Sequence, residues 1–411
     1  MKILVLNCGS SSVKYQLIDI DKGYVLAKGM VSRIGMSGAV LAHKPHDRPE
    51  VTISGDILDH IMAVEHVIAM LLSPNHGVIR DKSEIDAVGH RVVHGGEAFP
   101  DSVLIDSEVM QVLRDCIELA PLHNPHNIRG INACMKLLPG VPQVAVFDTA
   151  FHLKMPPYAY IYGIPYVLYK RYAIRRYGFH GTSHYYVSRR AARMLNRPIE
   201  ELKIITCHLG NGASMSAVKG GVSVDTSMGY TPLEGLLMGT RSGDLDPAII
   251  LNVMAREELS LHEANTLLNK HSGLQGISGV SGDMRDIIKE AGNGNVNAQL
   301  ALDVYCYRIR KYIGSYAAVL GGLDALVFTA GIGENSPLVR AKCCENLEFL
   351  GAKIDDEKNK QASGPQPDEI QTDDSGVKIL RIPTNEELVI ALDTKRVVEE
   401  AQEKKSMLKG V

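Results

Sequence analysis

The sequence between residues 204 and 247 reads IITCHLGNGASMSAVKGGVSVDTSMGYTPLEGLLMGTRSGDLDP, and its pattern decides the fold. An apolar run breaks at the glycine-rich residues 210–212, and an alternating run then ends at the glycine pair 220–221. The pattern predicts a β-hairpin whose first loop holds more glycine than a tight turn needs. Such glycines let backbone N–H groups surround an anion, and Ser214 and Thr226 could add hydroxyl donors.

Arg241 follows in the loop GTRSG at 239–243. A guanidinium between small residues is well placed to bind a phosphoryl oxygen or a carboxylate bidentately. The alternative is a glycine-rich surface hairpin with a solvated arginine, and the hairpin by itself does not decide between the two.

A similar segment lies at the amino terminus, where residues 3–19 read ILVLNCGSSSVKYQLID. An apolar run is again followed by asparagine, glycine and small hydroxylated residues, so that 7–12 correspond to 209–214. Two such units about 200 residues apart predict a duplicated fold with one phosphate-facing hairpin in each half. In the first hairpin, residues 10–12 and Lys14 are candidates for phosphate contact.

The composition is that of an ordinary soluble globular protein, with 411 residues of which 45% are apolar and 22% charged. Because 44 Lys and Arg nearly balance 47 Asp and Glu, nucleic acid and membrane partners are disfavoured. Seven cysteines without a CxxC pair predict reduced, buried thiols of a cytosolic protein. The amino terminus enters a strand directly, so we expect no signal peptide, and no apolar run is long enough to span a bilayer.

The first half of the chain alternates between strand and helix patterns. Residues 1–41 alternate like successive antiparallel strands, 42–58 are expected to form a loop, and apolar spacing predicts a helix over 60–72. Further strands are predicted at 85–93 and 144–147, and further helices at 109–117 and 128–138. This order predicts a mixed α/β layer with a cleft formed by loops at the strand ends.

Beyond residue 150 the chain passes through a proline- and tyrosine-rich stretch, 155–169, which we interpret as the approach to a second domain. Helices are predicted at 185–195, 246–255, 262–269, 296–320 and 385–398, and strands at 325–329 and 377–382. A glycine- and serine-rich loop is predicted over 272–282, an exposed excursion over 355–376 and a frayed tail over 402–411.

Three polar residues lie at strand ends or between glycines, where α/β proteins place functional groups. Arg91 ends a strand and has an ordinary ion pair as its structural alternative. Asp148 closes the strand at 144–147 and could instead cap a helix. His180 lies between glycines in GFHGT, which favours exposure to a cleft over a structural role.

The glycine-rich run at 331–335 is a weak signal, because it occurs both in dinucleotide folds and in plain strand-to-helix turns. The chain has no Walker A motif and no HRD and DFG signatures, which excludes P-loop ATPases and protein kinases by motif. Two glycine hairpins, two arginines, a histidine and an aspartate together are what phosphoryl transfer requires, with an acidic residue to hold Mg²⁺.

The sequence resembles the acetate kinase family in ordered blocks spread over nearly the whole chain. The blocks are NCGSSSVKYQL (7–17), GHRVVHGGEAF (89–99), FDTAFH (147–152), YGFHGTSHYYV (177–187), HLGNGAS (208–214), DTSMGYTPLEGLLMGTRSGDLDP (225–247), FTAGIGENSP (328–337) and PTNEELVIA (383–391).

The resemblance implies the α/β fold of the sugar kinase, actin and heat-shock chaperone superfamily, with duplicated ribonuclease H-like βββαβαβα domains and nucleotide in the interdomain cleft. It implies that residues 1–150 with 384–411 form the acyl side and 151–383 the nucleotide side. It also implies a cytoplasmic homodimer. The implied reaction is the reversible transfer of the ATP γ-phosphoryl group to acetate, which gives ADP and acetyl phosphate and depends on Mg²⁺, with Mn²⁺ as an alternative.

The resemblance also implies roles for individual residues. Arg91 and Arg241 would neutralise the carboxylate and the transferring phosphoryl group, and His180 would hydrogen-bond that group in the transition state. Asp148 would orient substrate or act as acid/base; positioning is favoured, because a carboxylate is already nucleophilic at neutral pH. Asn7 and Glu386 would hold Mg²⁺, partly through water, with Glu387 left open as the alternative.

The remaining implied positions divide between the nucleotide and the acyl group. Those implied for the nucleotide are Lys14, His208, Leu209, Gly210, Asn211, Gly212, Asp283, Met284, Arg285, Gly331, Ile332, Gly333, Glu334 and Asn335. Those implied for the pocket around the acyl methyl group are Val93, Leu122, Phe179 and Pro232.

Two further hypotheses stay open beside an acetate kinase. A propionate or short-chain acyl kinase would share the pocket, and one methylene is worth only about 1–3 kcal/mol there. An actin-like or chaperone-like ATPase belongs to a different functional class, and it would have no use for two arginines at a carboxylate site.

Overall fold

The computed structural model describes residues 1–121 and 123–409 and divides into two compact units. Unit 1 combines Met1–Phe151 with the carboxyl-terminal segment from Asn385, and unit 2 is His152–Thr384. Within the described part of the chain, no helix has the length and apolar character needed to cross a bilayer.

Unit 1 is built on one mixed sheet. Its strands are β1 (Lys2–Cys8), β2 (Ser12–Asp19), β3 (Tyr24–Ser32), β4 (Ala39–Pro45), β5 (Val51–Gly55), β6 (Ala87–Val92), β7 (Val103–Leu104) and β8 (Gln143–Phe147). Strands β1 to β5 form an antiparallel meander, β6 pairs parallel with β1, and β8 pairs parallel with β6. The sheet order is β5-β4-β3-β2-β1-β6-β8-β7.

Helices cover both faces of this sheet. They are α1 (His60–Leu71), α2 (Ser107–Asp115), α3 (Asn124–Leu137) and α15 (Glu386–Lys409). Helix α1 begins where the Asp59 side chain accepts the N–H of Met62, and its buried apolar stripe joins the core of the meander. Helix α15 contributes Ile390 and Val397 to a second cluster with Ile3 and Val146. The carboxyl-terminal helix is therefore part of the unit 1 core.

Unit 2 is built on a second mixed sheet with the order β11-β10-β9-β12-β14-β13. Its strands are β9 (Lys203–Leu209), β10 (Ala213–Lys219), β11 (Val222–Thr226), β12 (Ala325–Thr329), β13 (Asp368–Glu369) and β14 (Lys378–Arg381). Strands β9 to β11 form the antiparallel part, whereas β12 pairs parallel with both β9 and β14.

The helices of unit 2 are α4 (Pro157–Tyr160), α5 (Tyr166–Tyr172), α6 (Gly181–Leu195), α7 (Pro247–Arg256), α8 (Leu261–Lys270), α9 (Gly273–Ser278), α10 (Met284–Gly292), α11 (Val296–Leu320), α12 (Ala330–Asn335), α13 (Pro337–Cys344) and α14 (Asp356–Gln361). The longest, α11, has the predicted bounds. Asn295 caps its first turn and Gly321, at φ 67°, ends it in the left-handed region.

The two sheets share one topology, which confirms the predicted duplication. In unit 1 the order β3-β2-β1-β6-β8 places an antiparallel meander beside two parallel strands, and in unit 2 the order β11-β10-β9-β12-β14 does the same. The glycine hairpin of 204–219 and its amino-terminal counterpart are the first two strands of each sheet.

Four expectations about local structure are wrong. Residues 42–58 are not only a loop, because β4 continues to Pro45 and β5 adds an edge strand. The loop expected over 272–282 contains α9, and 355–376 contains α14 and β13, with Asn359 and Ile370 buried. Helix α15 continues to Lys409 where a frayed tail was expected, and residues 410–411 lie outside the described residues.

The cysteines behave as predicted. All seven are free and buried, and burial raises the pKa of the Cys8 and Cys344 thiols to about 12. A thiol with so high a pKa is protonated and unreactive near neutral pH.

Candidate active site

An arginine–aspartate pair lies at the carboxyl edge of the unit 1 sheet. Arg91 is near the end of β6 and Asp148 follows β8, and the parallel register of these neighbouring strands brings the two side chains together. Arg91 donates from Nε to Asp148 Oδ1 at 3.0 Å and from the terminal nitrogen Nη2 to Oδ2 at 2.7 Å. Asp148 is 1% exposed, so its carboxylate serves the guanidinium and not a helix N-terminus.

Glu386, at the start of α15, completes this cluster. Its Oε2 lies 3.8 Å from Arg91 Nε. Burial disfavours the charge on Arg91, but Asp148 and Glu386 outweigh it and, with a smaller contribution from Glu387, raise the pKa of the guanidinium. Arg91 is therefore a fixed cation beside two carboxylates. Between the two glutamates that the sequence left open, Glu386 is the one within ion-pair distance of Arg91.

Asn7 and Glu386 fit the chemistry of a magnesium site. Asn7, on β1, offers an amide oxygen and Glu386 a carboxylate, and Mg²⁺ takes such oxygen ligands together with water and substrate phosphates. Lys14, the register partner of Asn7 on β2, is exposed and free to reach a phosphate. Among the described residues there is no group of three or more His, Cys, Asp or Glu side chains that could hold a metal ion.

Two asparagines that the sequence reasoning missed fix the backbone around this edge. Asn127 accepts the N–H of Val93 at 3.1 Å and donates to the carbonyl of Cys8 at 2.9 Å. Asn124 bonds both the N–H and the carbonyl of His94. A pair of asparagines three residues apart on the buried face of α3 was the available signal. Val93 is 8% exposed, and Leu122, the other pocket residue expected in this unit, lies outside the described residues.

Asn127→Ala should weaken both stability and substrate binding. It leaves a buried N–H and a buried carbonyl without partners, so the free energy of unfolding is expected to fall by about 1–3 kcal/mol. The KM for the carboxylate is expected to rise because Val93 loses its anchor. Urea unfolding and initial rates measure the two effects. Gln111→Ala, which removes an exposed amide from α2, is the control, and an equal effect in both variants would contradict the anchoring role.

His180 occupies a constrained position in unit 2. Its φ of 56° lies in the left-handed region, which is uncommon for a non-glycine residue, and it directly precedes α6. Its Nδ1 lies 2.9 Å from Ser214 Oγ. The ring stacks on His208 with 4.1 Å between centroids, and His208 Nδ1 lies 2.8 Å from Ser183 Oγ. The two imidazoles at the end of β9 are thus held rigidly side by side.

Arg241 lies against the glycine loop that precedes β10. It donates to the Pro232 carbonyl at 3.0 Å, and a Cβ added to Gly212 would lie 3.4 Å from its terminal nitrogen. Burial lowers its pKa, and no carboxylate among the described residues pairs with it. A partly buried guanidinium without a counter-ion is suited to an anionic substrate.

The expected hydroxyl donors of the hairpin are a correction. Ser214 and Thr226 are fully buried. Ser214 Oγ bonds two imidazoles, and Thr226 Oγ1 donates to the Met215 carbonyl. The backbone of the loop, and not these hydroxyls, is what an anion could reach. Phe179, expected in the acyl pocket, is also buried at 3% exposure.

The segments expected to bind nucleotide adjoin one another within unit 2. Thr329 of β12 pairs in register with His208 of β9, so α12 begins beside the 208–212 loop. The Gly239 N–H bonds the Asn211 carbonyl at 3.0 Å, and a Cβ on Gly282 would lie 3.0 Å from the Gly239 carbonyl oxygen. The structure therefore brings 208–212, 282–285 and 330–335 together.

Several of these side chains are already engaged. Asp283 caps α10 and pairs with Arg285, which is 90% exposed, whereas Met284 and Leu209 are buried. Glu334 Oε1 accepts the N–H groups of Ala330 and Thr384. Gly331 and Asn335 are exposed, Ile332 is half-buried and Gly333 is buried. A nucleotide would meet mainly backbone and the exposed part of this set.

The duplicated topology, with functional side chains at the carboxyl ends of the parallel strands, defines a two-unit kinase of the actin-like class. The family model of the acetokinase family matches residues 2–392, and the chain therefore belongs to that family. It is 59% identical over 399 residues to the acetate kinase of Desulfitobacterium hafniense, which covers 97% of this chain and 100% of that one.

Two solved structures are similar over nearly the full length. The acetate kinase of Porphyromonas gingivalis superposes with a TM-score of 0.93 at 48% identity, covering 97% of this chain and 99% of that one. A propionate kinase from Francisella tularensis superposes with a TM-score of 0.90 at 43% identity, covering 96% and 99%.

Proposed function

We propose that this protein is an acetate kinase that transfers the γ-phosphoryl group of ATP to acetate, reversibly and by direct in-line transfer. The observation that carries the proposal is the contrast between two arginines. Arg91 is held by Asp148 and Glu386, whereas Arg241 has no carboxylate partner among the described residues. One fixed and one uncompensated cation suit a reaction between two anions.

We assign the acyl substrate to unit 1, with residues 1–150 and 384–411, and the nucleotide to unit 2. Arg91, oriented by Asp148, binds the carboxylate and aligns its oxygen for attack. Arg241 neutralises the transferring phosphoryl group, and His180 hydrogen-bonds it. The backbone of 208–212 and the segments 282–285 and 330–335 hold ATP or ADP.

The acceptor needs no general base, because acetate is ionised at neutral pH. Asp148 is buried and both of its oxygens bind Arg91, which supports positioning over proton transfer. Asn7 and Glu386 hold Mg²⁺, which when bound neutralises charge on the nucleotide phosphates.

Glu386→Gln should raise the Mg²⁺ concentration that gives half-maximal activity by about 10-fold or more. Glu387→Gln should have a smaller effect, because Glu386 is the residue in ion-pair range of Arg91. Initial rates over a Mg²⁺ titration, started from chelator-treated enzyme, compare the two variants. The reverse order of effects would move the metal-site assignment to Glu387.

A propionate or short-chain acyl kinase is the second candidate, and the similarity to a propionate kinase favours keeping it. The pocket residues cannot discriminate strongly, since one methylene is worth about 1–3 kcal/mol. An ADP-coupled assay with acetate, propionate and butyrate in turn separates the candidates. A higher kcat/KM for acetate supports the proposal, and a higher value for propionate transfers it to the second candidate.

We further propose that the enzyme is a homodimer. Large apolar side chains are exposed in one region of unit 2, including Tyr158 at 90%, Tyr166 at 55% and Tyr172 at 54%, and such a surface favours association. The molar mass in solution tests this, and a monomeric mass at micromolar concentration would contradict it.

A further inference from the structure

A chain of buried hydrogen bonds runs from His180 into the sheet of unit 2. Ser214 Oγ lies 2.9 Å from His180 Nδ1 and 2.8 Å from His184 Nε2. His184 Nδ1 lies 2.7 Å from Thr206 Oγ1, and Thr206 Oγ1 donates to the Ser216 carbonyl at 3.4 Å. Thr206, Ser214 and His184 are all 0% exposed, so no solvent proton can replace a member of the chain.

His184 stays neutral within this chain. Burial lowers its pKa well below the ordinary value, and the nearby rings of His152 and His208 lower it further. A neutral imidazole carries one N–H and one lone pair. His184 therefore donates from one nitrogen and accepts at the other.

The Ser216 carbonyl sets the direction of every bond, because a carbonyl oxygen can only accept. Thr206 uses its single proton on that carbonyl, so its oxygen accepts from His184 Nδ1–H. His184 Nε2 then accepts the proton of Ser214. With its proton used, Ser214 Oγ accepts from His180 Nδ1–H.

We propose that Thr206, His184 and Ser214 form a relay that fixes the proton of neutral His180 on Nδ1 and leaves Nε2 for the substrate. The relay rests on the proposed role of His180 in phosphoryl transfer and specifies its form. His180 then donates from Nε2 to a phosphoryl oxygen only as the imidazolium, which gives a charge-assisted hydrogen bond. Ser214, His184 and Thr206 are positioning residues that act through His180.

The tautomer can be measured directly by long-range ¹H–¹⁵N NMR on full-length, histidine-labelled enzyme without substrates. His180→Gln identifies the signals of His180. At a pH where the ring is neutral, wild-type His180 is expected to carry its proton on Nδ1. A proton on Nε2 in the wild type would overturn the relay.

Thr206→Val tests the direction of the relay with a nearly isosteric change. Without the threonine oxygen, His184 Nδ1–H would have no acceptor, and an orphaned buried N–H costs more than an orphaned lone pair. His184 should move its proton to Nε2, Ser214 should reverse, and neutral His180 should change to the Nε2–H tautomer. An unchanged His180 tautomer in this variant would overturn the relay, whereas a merely structural role for Thr206 predicts no change.

Ser214→Ala tests the kinetic consequence. Losing the bond that orients His180 should lower kcat by about 10–100-fold with KM little changed. Ser188→Ala, which removes a buried hydroxyl that bonds the Tyr185 carbonyl within α6, is the control. Equal kcat values in the two variants would overturn the relay. Because the tautomer is read without substrate, the relay can fail while acetate kinase activity stands, and the reverse.

Discussion

Arg91→Ala is expected to lower kcat for acetyl phosphate formation by about 10³-fold. Positive charge aimed at the reacting groups is usually the largest single contribution in phosphoryl transfer. Arg91→Lys is expected to recover little, because an ammonium cannot reproduce the two-pronged bond that holds the guanidinium on Asp148. Initial rates in an ADP-coupled assay measure the effect.

The same substitution is expected to destabilise the fold. Asp148 is 1% exposed, and removing Arg91 leaves its charge buried without a partner, which costs about 3–5 kcal/mol. The double variant Arg91→Ala with Asp148→Ala should regain much of this free energy of unfolding but none of the activity.

Arg396→Ala is the matched control in the same unit, since it removes a half-exposed arginine that pairs with Asp101 and Glu400. It should stay near wild type in both rate and stability. Near-normal turnover in Arg91→Ala, or a double variant no more stable than the single one, would contradict the assigned role of the pair.

Arg241→Ala is expected to lower kcat by about 10²–10³-fold without a comparable loss of stability. No carboxylate among the described residues is left unpaired by the change, and the bond lost is one to the Pro232 carbonyl. Its free energy of unfolding should therefore fall by no more than about 1 kcal/mol. Rate and denaturant unfolding, measured on one preparation, separate Arg241 from Arg91.

A second control distinguishes a functional from a structural role for Arg241. Arg197→Ala removes a surface arginine of unit 2 that pairs with Asp324, and it should not change kcat. If Arg241→Ala retained normal turnover, or if it lost activity only in proportion to unfolding, phosphoryl neutralisation by Arg241 would be refuted.

The duplicated hairpins could be predicted because turn chemistry is local. Glycines at 210–212 and 220–221 lie between alternating runs, and β9 and β10 form there. The edge strand β5 could not be predicted, because Val51 is half-buried and the four residues after it are exposed, so that no alternation of apolar residues marks it. The same reason hid α14 and β13 within a polar stretch.

The site was predictable as residue types but not as pairs. Arg91 and Asp148 each stood out at a strand end, yet their contact depends on the parallel register of β6 and β8, which no local pattern encodes. Ser214 shows the same limit in the opposite sense. Its place beside a glycine loop suggested an anion ligand, whereas the strand turns its hydroxyl inward to His180 and His184.

The ³¹P NMR spectrum of a reaction with purified enzyme, MgATP and acetate tests the central claim most directly. Acetyl phosphate and ADP should appear together in equal amounts, and both should be absent when acetate is omitted. Release of inorganic phosphate from ATP at the same rate with and without acetate, and no acyl phosphate signal, would contradict the claim and favour an actin-like ATPase.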